Sequence, residues 1–179
     1  MLRSALDRRR FLITGLGVAA GLTMPAGSAL AAPGRTLSFA NLHTGESLTV
    51  TYRAGGHYLP AACRRIDRLL RDHRTGEVAP ISTRLLDLLS ALRGRLGTNA
   101  PLEVISGYRS PKTNAKLASA STGIARRSLH MEGLAIDIRV PGCSLQRLRA
   151  AAVALKAGGV GFYPRSGFVH VDVGRVRYW

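Results

Sequence analysis

Two short stretches hold residue types that hydrolytic chemistry uses. The first is Ser128-Leu129-His130-Met131-Glu132-Gly133-Leu134-Ala135-Ile136-Asp137-Ile138. His130 and Asp137 stand seven apart, so on one regular strand they would face opposite ways. Gly133 permits a turn or bulge that brings both side chains to one site. Beyond it Ala135 and Asp137 share one face, and Leu134, Ile136 and Ile138 fill the other. A carboxylate in such apolar company lies at the edge of a core and needs a partner. The second stretch is Phe168-Val169-His170-Val171-Asp172-Val173. Its strict alternation points the three valines inward and leaves His170 and Asp172 side by side, with Phe168, on the opposite face.

Two imidazoles and one carboxylate from two strands make a three-ligand set. Zn²⁺ takes nitrogen and oxygen ligands tetrahedrally, and three protein ligands leave one position for water. Such an ion lowers the pKa of its water to about 7 and polarises a carbonyl, the two needs of hydrolysis. The plainer alternative is a pair of hydrogen-bonded histidines beside a core, and spacing alone does not separate the two. A closed structural site would need a fourth ligand. Cys143 follows Pro141-Gly142 in a turn beyond the strand, which argues against it. A third stretch, Ser106-Gly107-Tyr108-Arg109-Ser110-Pro111, stands where a strand breaks into a helix. Arg109 there is placed to enter a cleft and bind a substrate carboxylate or an oxygen gaining charge. By itself it would be one surface arginine among many.

Taken in order, Ser-Gly-Tyr-Arg-Ser, Ser-Leu-His-Met-x-Gly-x-Ala-x-Asp and His-Val-Asp resemble the zinc D-Ala-D-Ala carboxypeptidase and murein endopeptidase family, which has a hedgehog-like α+β fold. The nearest resemblance is to its murein endopeptidase K branch, in which Gly159–Tyr163 and Arg175–Trp179 also share. It covers approximately residues 36–179. The resemblance implies that His130, Asp137 and His170 hold zinc and that Arg109 binds substrate or oxyanion. It also implies that Ser128 stands near the metal. One feature departs from the better-known carboxypeptidases, which place an acidic general base shortly before the last histidine. Here Gly167-Phe168-Val169 offer none. Two roles are open to Asp172: proton acceptor for the attacking water, or acceptor of a zinc histidine's free N–H. Glu132 is a third candidate base, though it flanks the turn.

These residues need a frame. Residues 36–42 and 47–53 alternate around His43-Thr44-Gly45-Glu46 and predict a hairpin with His43 in its turn. A basic amphipathic helix is predicted from about Pro60 to His73, with Ile66, Leu69 and Leu70 inward and Arg64, Arg65, Arg68 and Arg71 outward. A second helix starts behind Ser82 and runs to about Leu96 on a core stripe of Leu85, Leu88, Leu89 and Leu92. A strand at 102–106, a short helix at about 111–118 and a polar loop at 119–127 follow. Strands at about 133–140 and 168–174 then enclose a helix from about Leu145 to Lys156, stopped by Gly158-Gly159. The pattern predicts an α+β domain, a small antiparallel sheet with helices packed on one side.

The chain has 179 residues, 26 of them basic and 10 acidic, for a net charge of +16. One domain fits that length. Two cysteines exclude a disulfide scaffold and a four-cysteine zinc module. Asp7-Arg8-Arg9-Arg10-Phe11-Leu12 reads as a twin-arginine export motif ahead of an uncharged apolar run. Ala29-Leu30-Ala31 then supplies the small-x-small pattern for cleavage before Ala32. Residues 1–31 are thus expected to be a signal peptide and 32–179 a single metallopeptidase domain. The alternative, a retained anchor, has 22 residues from Phe11 to Ala32 to span with. Four glycines and Pro25 in that run weaken it as a helix. Cleavage would remove Arg3, Arg8, Arg9, Arg10 and Asp7, leaving 22 basic and nine acidic residues and a net of +13.

Export to the periplasm argues against nucleic acid as a partner and for the anionic cell wall. It also brings Cys63 and Cys143 into an oxidising compartment, their pairing left open. The expectation is a periplasmic zinc peptidase that cuts peptidoglycan cross-links, without stable membrane insertion and with oligomeric state open. Two rivals are a D-alanyl carboxypeptidase and a non-catalytic, metal-containing wall-binding module.

Overall fold

The computed structural model describes residues 34–120, 125 and 127–179. The export motif, the cleavage site and much of the 119–127 loop lie outside them. Along the chain run β1 (Arg35–Asn41), β2 (Ser47–Ala54), β3 (His57–Tyr58), α1 (Pro60–Leu69), α2 (Thr83–Leu96) and β4 (Leu102–Ser106). These are followed by α3 (Pro111–Ala120), a 3₁₀ turn (Leu129–Glu132), β5 (Ala135–Arg139), α4 (Leu145–Leu155), β6 (Gly159–Tyr163), β7 (Phe168–Asp172) and β8 (Arg177–Tyr178).

The strands form one sheet in the order β3-β2-β1-β4-β5-β7-β6-β8. The predicted α+β class holds, but the sheet is mixed rather than antiparallel, because β1 pairs with β4 and β6 with β8 in parallel. Sequence alternation shows which residues face inward and says nothing of which strand lies alongside. α1 and α2 sit between the hairpin and β4 in the chain, and a long connection of this kind allows β4 to join β1 in parallel.

One aliphatic cluster unites the inner face of the sheet with the helices. Leu37, Phe39, Ile136, Ile138, Val169 and Val171 are essentially inaccessible there, as are Leu85, Leu89 and Leu92 of α2 and Leu148 of α4. The leucine stripe of α2 is therefore core, as its spacing predicts. Because a strand shows alternate residues to opposite faces, the buried Ile136, Ile138, Val169 and Val171 place Asp137 and His170 on the reverse side.

Two helix ends differ from expectation. α1 stops at Leu69, short of His73, where a loop takes over: Gly76 N–H donates to the Asp72 carbonyl and Asp72 N–H to that of Glu77. α4 is closed by Lys156 in the left-handed conformation, and Gly158-Gly159 instead lead into β6. Ser82 stands at the start of α2 without a side-chain cap. Cys63 and Cys143 are free thiols.

Candidate metal centre

β5 and β7 are antiparallel, and their register sets Asp137 directly opposite His170. His130 arrives from the 3₁₀ turn. Gly133 makes the bend that lets it do so, with φ of +66° and a Cβ position that would strike the Pro80 carbonyl. Both conditions exclude a side chain. Ser128 opens the turn by accepting from His130 N–H. The predicted reversal between His130 and Asp137 is thus a single helical turn ended by glycine.

Three donor atoms meet. Asp137 Oδ1 lies 2.9 Å from His170 Nδ1 and 3.3 Å from His130 Nε2, and the two ring nitrogens are 3.2 Å apart. A tetrahedral ion with bonds of about 2.0–2.1 Å spaces its ligands about 3.3 Å apart, so the triangle fits one. Among the described residues no other three such side chains gather this closely.

The opposite ring nitrogens explain the aim. His130 Nδ1 lies 2.8 Å from the Gly107 carbonyl, which only accepts, so Nδ1 carries the proton and Nε2 keeps its lone pair. His170 Nε2 lies 3.0 Å from Asp172 Oδ2, which leaves the lone pair on Nδ1. In the neutral rings both lone pairs therefore point at Asp137. Electrostatics favour positive charge at this point. Burial pushes the Asp137 carboxyl up, but the two imidazoles outweigh it and hold the group below the usual carboxylate range. Burial likewise pushes His170 down, and its bonds to Asp137 and Asp172 raise it overall.

A cleft of about 320 Å³ opens over the three donors, and Arg109, Ser128, Tyr163, Phe168, Arg177 and Trp179 share its lining. Arg109 is 8% exposed, and its contacts are long: 3.4 Å to Ser106 Oγ and Asn114 Oδ1, 3.6 Å to Asp137 Oδ2. Among the described residues its buried Nε has no hydrogen-bond partner. Burial pushes this guanidinium below its ordinary value against the pull of Asp137. Beside it, buried Asp72 accepts from both N–H and Oγ of Ser110 at 2.9 and 2.7 Å, which fixes the break between β4 and α3.

Asp172 stands beside His170, as strand alternation predicts, and of its two open roles this position suits acceptor of the histidine N–H rather than a base in the cleft. It is fully buried behind the His170 ring and does not line the cleft. Arg177, Gly159 N–H and Gly174 N–H take up its oxygens together with His170. Burial raises its carboxyl, and these partners outweigh burial, keeping it below the usual range. Glu132 is exposed and outside the lining. Cys143 contacts the Ser144 carbonyl and does not belong to the donor set. Asp72, Tyr163, Arg177 and Trp179 escaped the sequence reading of the site. Only the Gly-x-Gly-x-Tyr pattern of β6 could have signalled any of them.

A family model described as "Peptidoglycan L,D-endopeptidase MepK" matches residues 29–179. The peptidoglycan L,D-endopeptidase MepK of Escherichia coli strain K12 is 42% identical over 177 residues, covering 97% of each chain. The Shigella flexneri protein of the same name matches equally. A Haemophilus influenzae protein, "Probable peptidoglycan L,D-endopeptidase MepK", is 39% identical over 97% of this chain and 95% of its own. With the donor triangle in place and similarity across nearly the whole length, the chain belongs to the MepK family of M15 metallopeptidases.

Proposed function

We propose that this protein is an exported, zinc-dependent endopeptidase that cleaves peptide bonds in peptidoglycan cross-links. The observation that carries the reading is the pair of imidazoles whose outer nitrogens are tied to Gly107 and Asp172, so that their inner lone pairs converge beside Asp137. His130, Asp137 and His170 would hold the ion. When bound there, a divalent ion supplies Lewis acidity for a water nucleophile and for the scissile carbonyl.

The remaining tasks fall to the protein. Arg109, with long contacts and an unused Nε, binds a substrate carboxylate or the carbonyl oxygen as it gains charge. Asp172 orients His170 and fixes its tautomer, and this fits its saturated oxygens better than proton transfer does. Arg109, Arg127 and Arg177 on the cleft suit the carboxylates of stem peptides, and the net charge of +13 expected after cleavage suits an anionic wall. The export reading draws support from a family match that begins at residue 29, near the expected cleavage point. Among the described residues no helix is long and apolar enough to cross a membrane.

The test is digestion of purified sacculi followed by mass spectrometry of the muropeptides. Conversion of cross-linked dimers to monomers, abolished by chelator and restored by Zn²⁺, is expected. Release of terminal D-alanine with dimers intact would make the protein a carboxypeptidase. Binding to sacculi without cleavage would make it a non-catalytic module.

A further inference from the structure

β6, β8 and Trp179 build the side of the cleft next to His170. The register of β6 on β7 sets Gly161 opposite His170 and Tyr163 opposite Phe168. Gly159, Gly161 and Tyr163 therefore share the face that carries His170 and Asp172. The two glycines leave room that other groups fill. A Cβ on Gly159 would strike the Asp172 carboxylate, and one on Gly161 would come within 2.7 Å of the Trp179 indole. That indole lies on bare backbone, its centroid 5.3 Å from that of the His170 ring. Backbone bonds lock it there: Phe162 N–H donates to the Trp179 carbonyl at 2.9 Å, and Trp179 N–H to that of Val160 at 3.2 Å.

Tyr163 is the first side chain on this face of β6, and its ring stacks on Phe168 at 4.7 Å. The Trp179 Nε1 lies 2.7 Å from the Tyr163 hydroxyl oxygen. Indole N–H only donates, so the phenol oxygen must accept. The phenol's own proton is thereby left to another acceptor, and none of the described residues supplies one. Tyr163 and Trp179 line the same cleft as His130, Asp137, His170 and Arg109.

From this arrangement we infer that Tyr163 is a catalytic hydrogen-bond donor and Trp179 the residue that positions it. As water attacks the scissile carbon and gives up a proton to solvent, a C–O bond forms and the carbonyl π pair moves onto oxygen. The Tyr163 hydroxyl donates a hydrogen bond to that oxygen and keeps its proton. Such a bond strengthens as charge develops, so it acts on kcat more than on KM. Arg109 offers a further donor from the same cleft. The inference rests on the reading of the protein as a peptide-bond hydrolase.

The test uses the Zn²⁺-loaded protein on purified cross-linked muropeptide dimers, with metal content measured for every variant. Tyr163→Phe is expected to lower kcat about 10²-fold, with KM within about twofold and metal stoichiometry unchanged. Trp179→Phe is expected to lower kcat by a smaller factor. The double variant should be no slower than Tyr163→Phe alone, since the hydroxyl to be positioned is gone. Independent, multiplying losses would overturn the positioning role of Trp179. A Tyr163→Phe protein with wild-type kcat would overturn the donor while leaving the hydrolase reading intact. So would a loss of rate matched by an equal loss of metal. A wild-type protein that cleaves nothing would overturn both.

Discussion

Two carboxylates in this molecule are saturated in nearly the same way and have different consequences. Asp87 of α2 accepts from the hydroxyls of Tyr52 and Tyr58 at 2.8 and 2.7 Å and pairs with Arg35 and Arg53. Asp172 of β7 accepts from His170, Arg177 and two glycine amides. Beyond Asp87 its partners reach backbone carbonyls, Tyr52 that of Leu86 and Arg53 that of Gly56, and together they fasten the first three strands to a helix. One partner of Asp172 has a second nitrogen, which faces Asp137 and, beyond it, the cleft. A full set of hydrogen bonds is thus no sign of function by itself; the sign is a partner with another atom left to use.

Experiments that break this contrast can be ranked by expected effect. His130→Ala removes a donor of the triangle, and a bound ion supplies several kcal/mol of charge stabilisation. Activity on sacculi should therefore fall about 10³-fold or more. Wild-type turnover in that variant would dissolve the centre altogether. Asp172→Asn retains shape but weakens the hold on the His170 N–H. Metal affinity measured by competition with a chelator should drop about 10- to 100-fold. An unchanged affinity would reduce Asp172 to the rank of Asp87.

Asp87→Asn should do the converse. Urea denaturation should show a loss of about 1–2 kcal/mol, because a buried tyrosine hydroxyl loses its charged acceptor, while metal affinity and turnover stay as they were. A catalytic defect in this variant would erase the distinction between the two sites.

The smallest effect concerns acid. Burial raises the Asp87 carboxyl, and Tyr58, Tyr52 and Arg35 outweigh it, so the folded group titrates below its unfolded value. Its contribution is complete above the unfolded carboxylate value of about 3.9 and is lost as pH falls through the folded value. Denaturation midpoints of the wild type should thus decline more steeply than those of Asp87→Asn from about pH 5 downward. Parallel slopes would show that the Asp87 network adds nothing that depends on its charge.

Much of the site was legible because its residues obey local rules. Strand alternation through Val169, Val171 and Val173 set His170 and Asp172 on one face, and Gly133 announced the reversal that brings His130 round to Asp137. The α2 leucines declared their burial through helical spacing. Less legible were short elements with weak periodicity: β3, β8 and the 3₁₀ turn have two to four residues each. β6 was hidden because Gly158-Gly159 read as a helix stop, whereas Gly159 and Gly161 clear space for Arg177 and Trp179.

The order of residues along the chain determined which side chains were available and which face of its own strand each would occupy. It determined this because alternation and a glycine bend depend on neighbours in sequence. Only the tertiary structure decided that Asp172 sits behind His170 rather than in the cleft, that β4 runs parallel to β1, and that Trp179 rests on Gly161 beside Tyr163. Those outcomes depend on packing between segments up to tens of residues apart, where pairing, burial and saturation of hydrogen bonds act together.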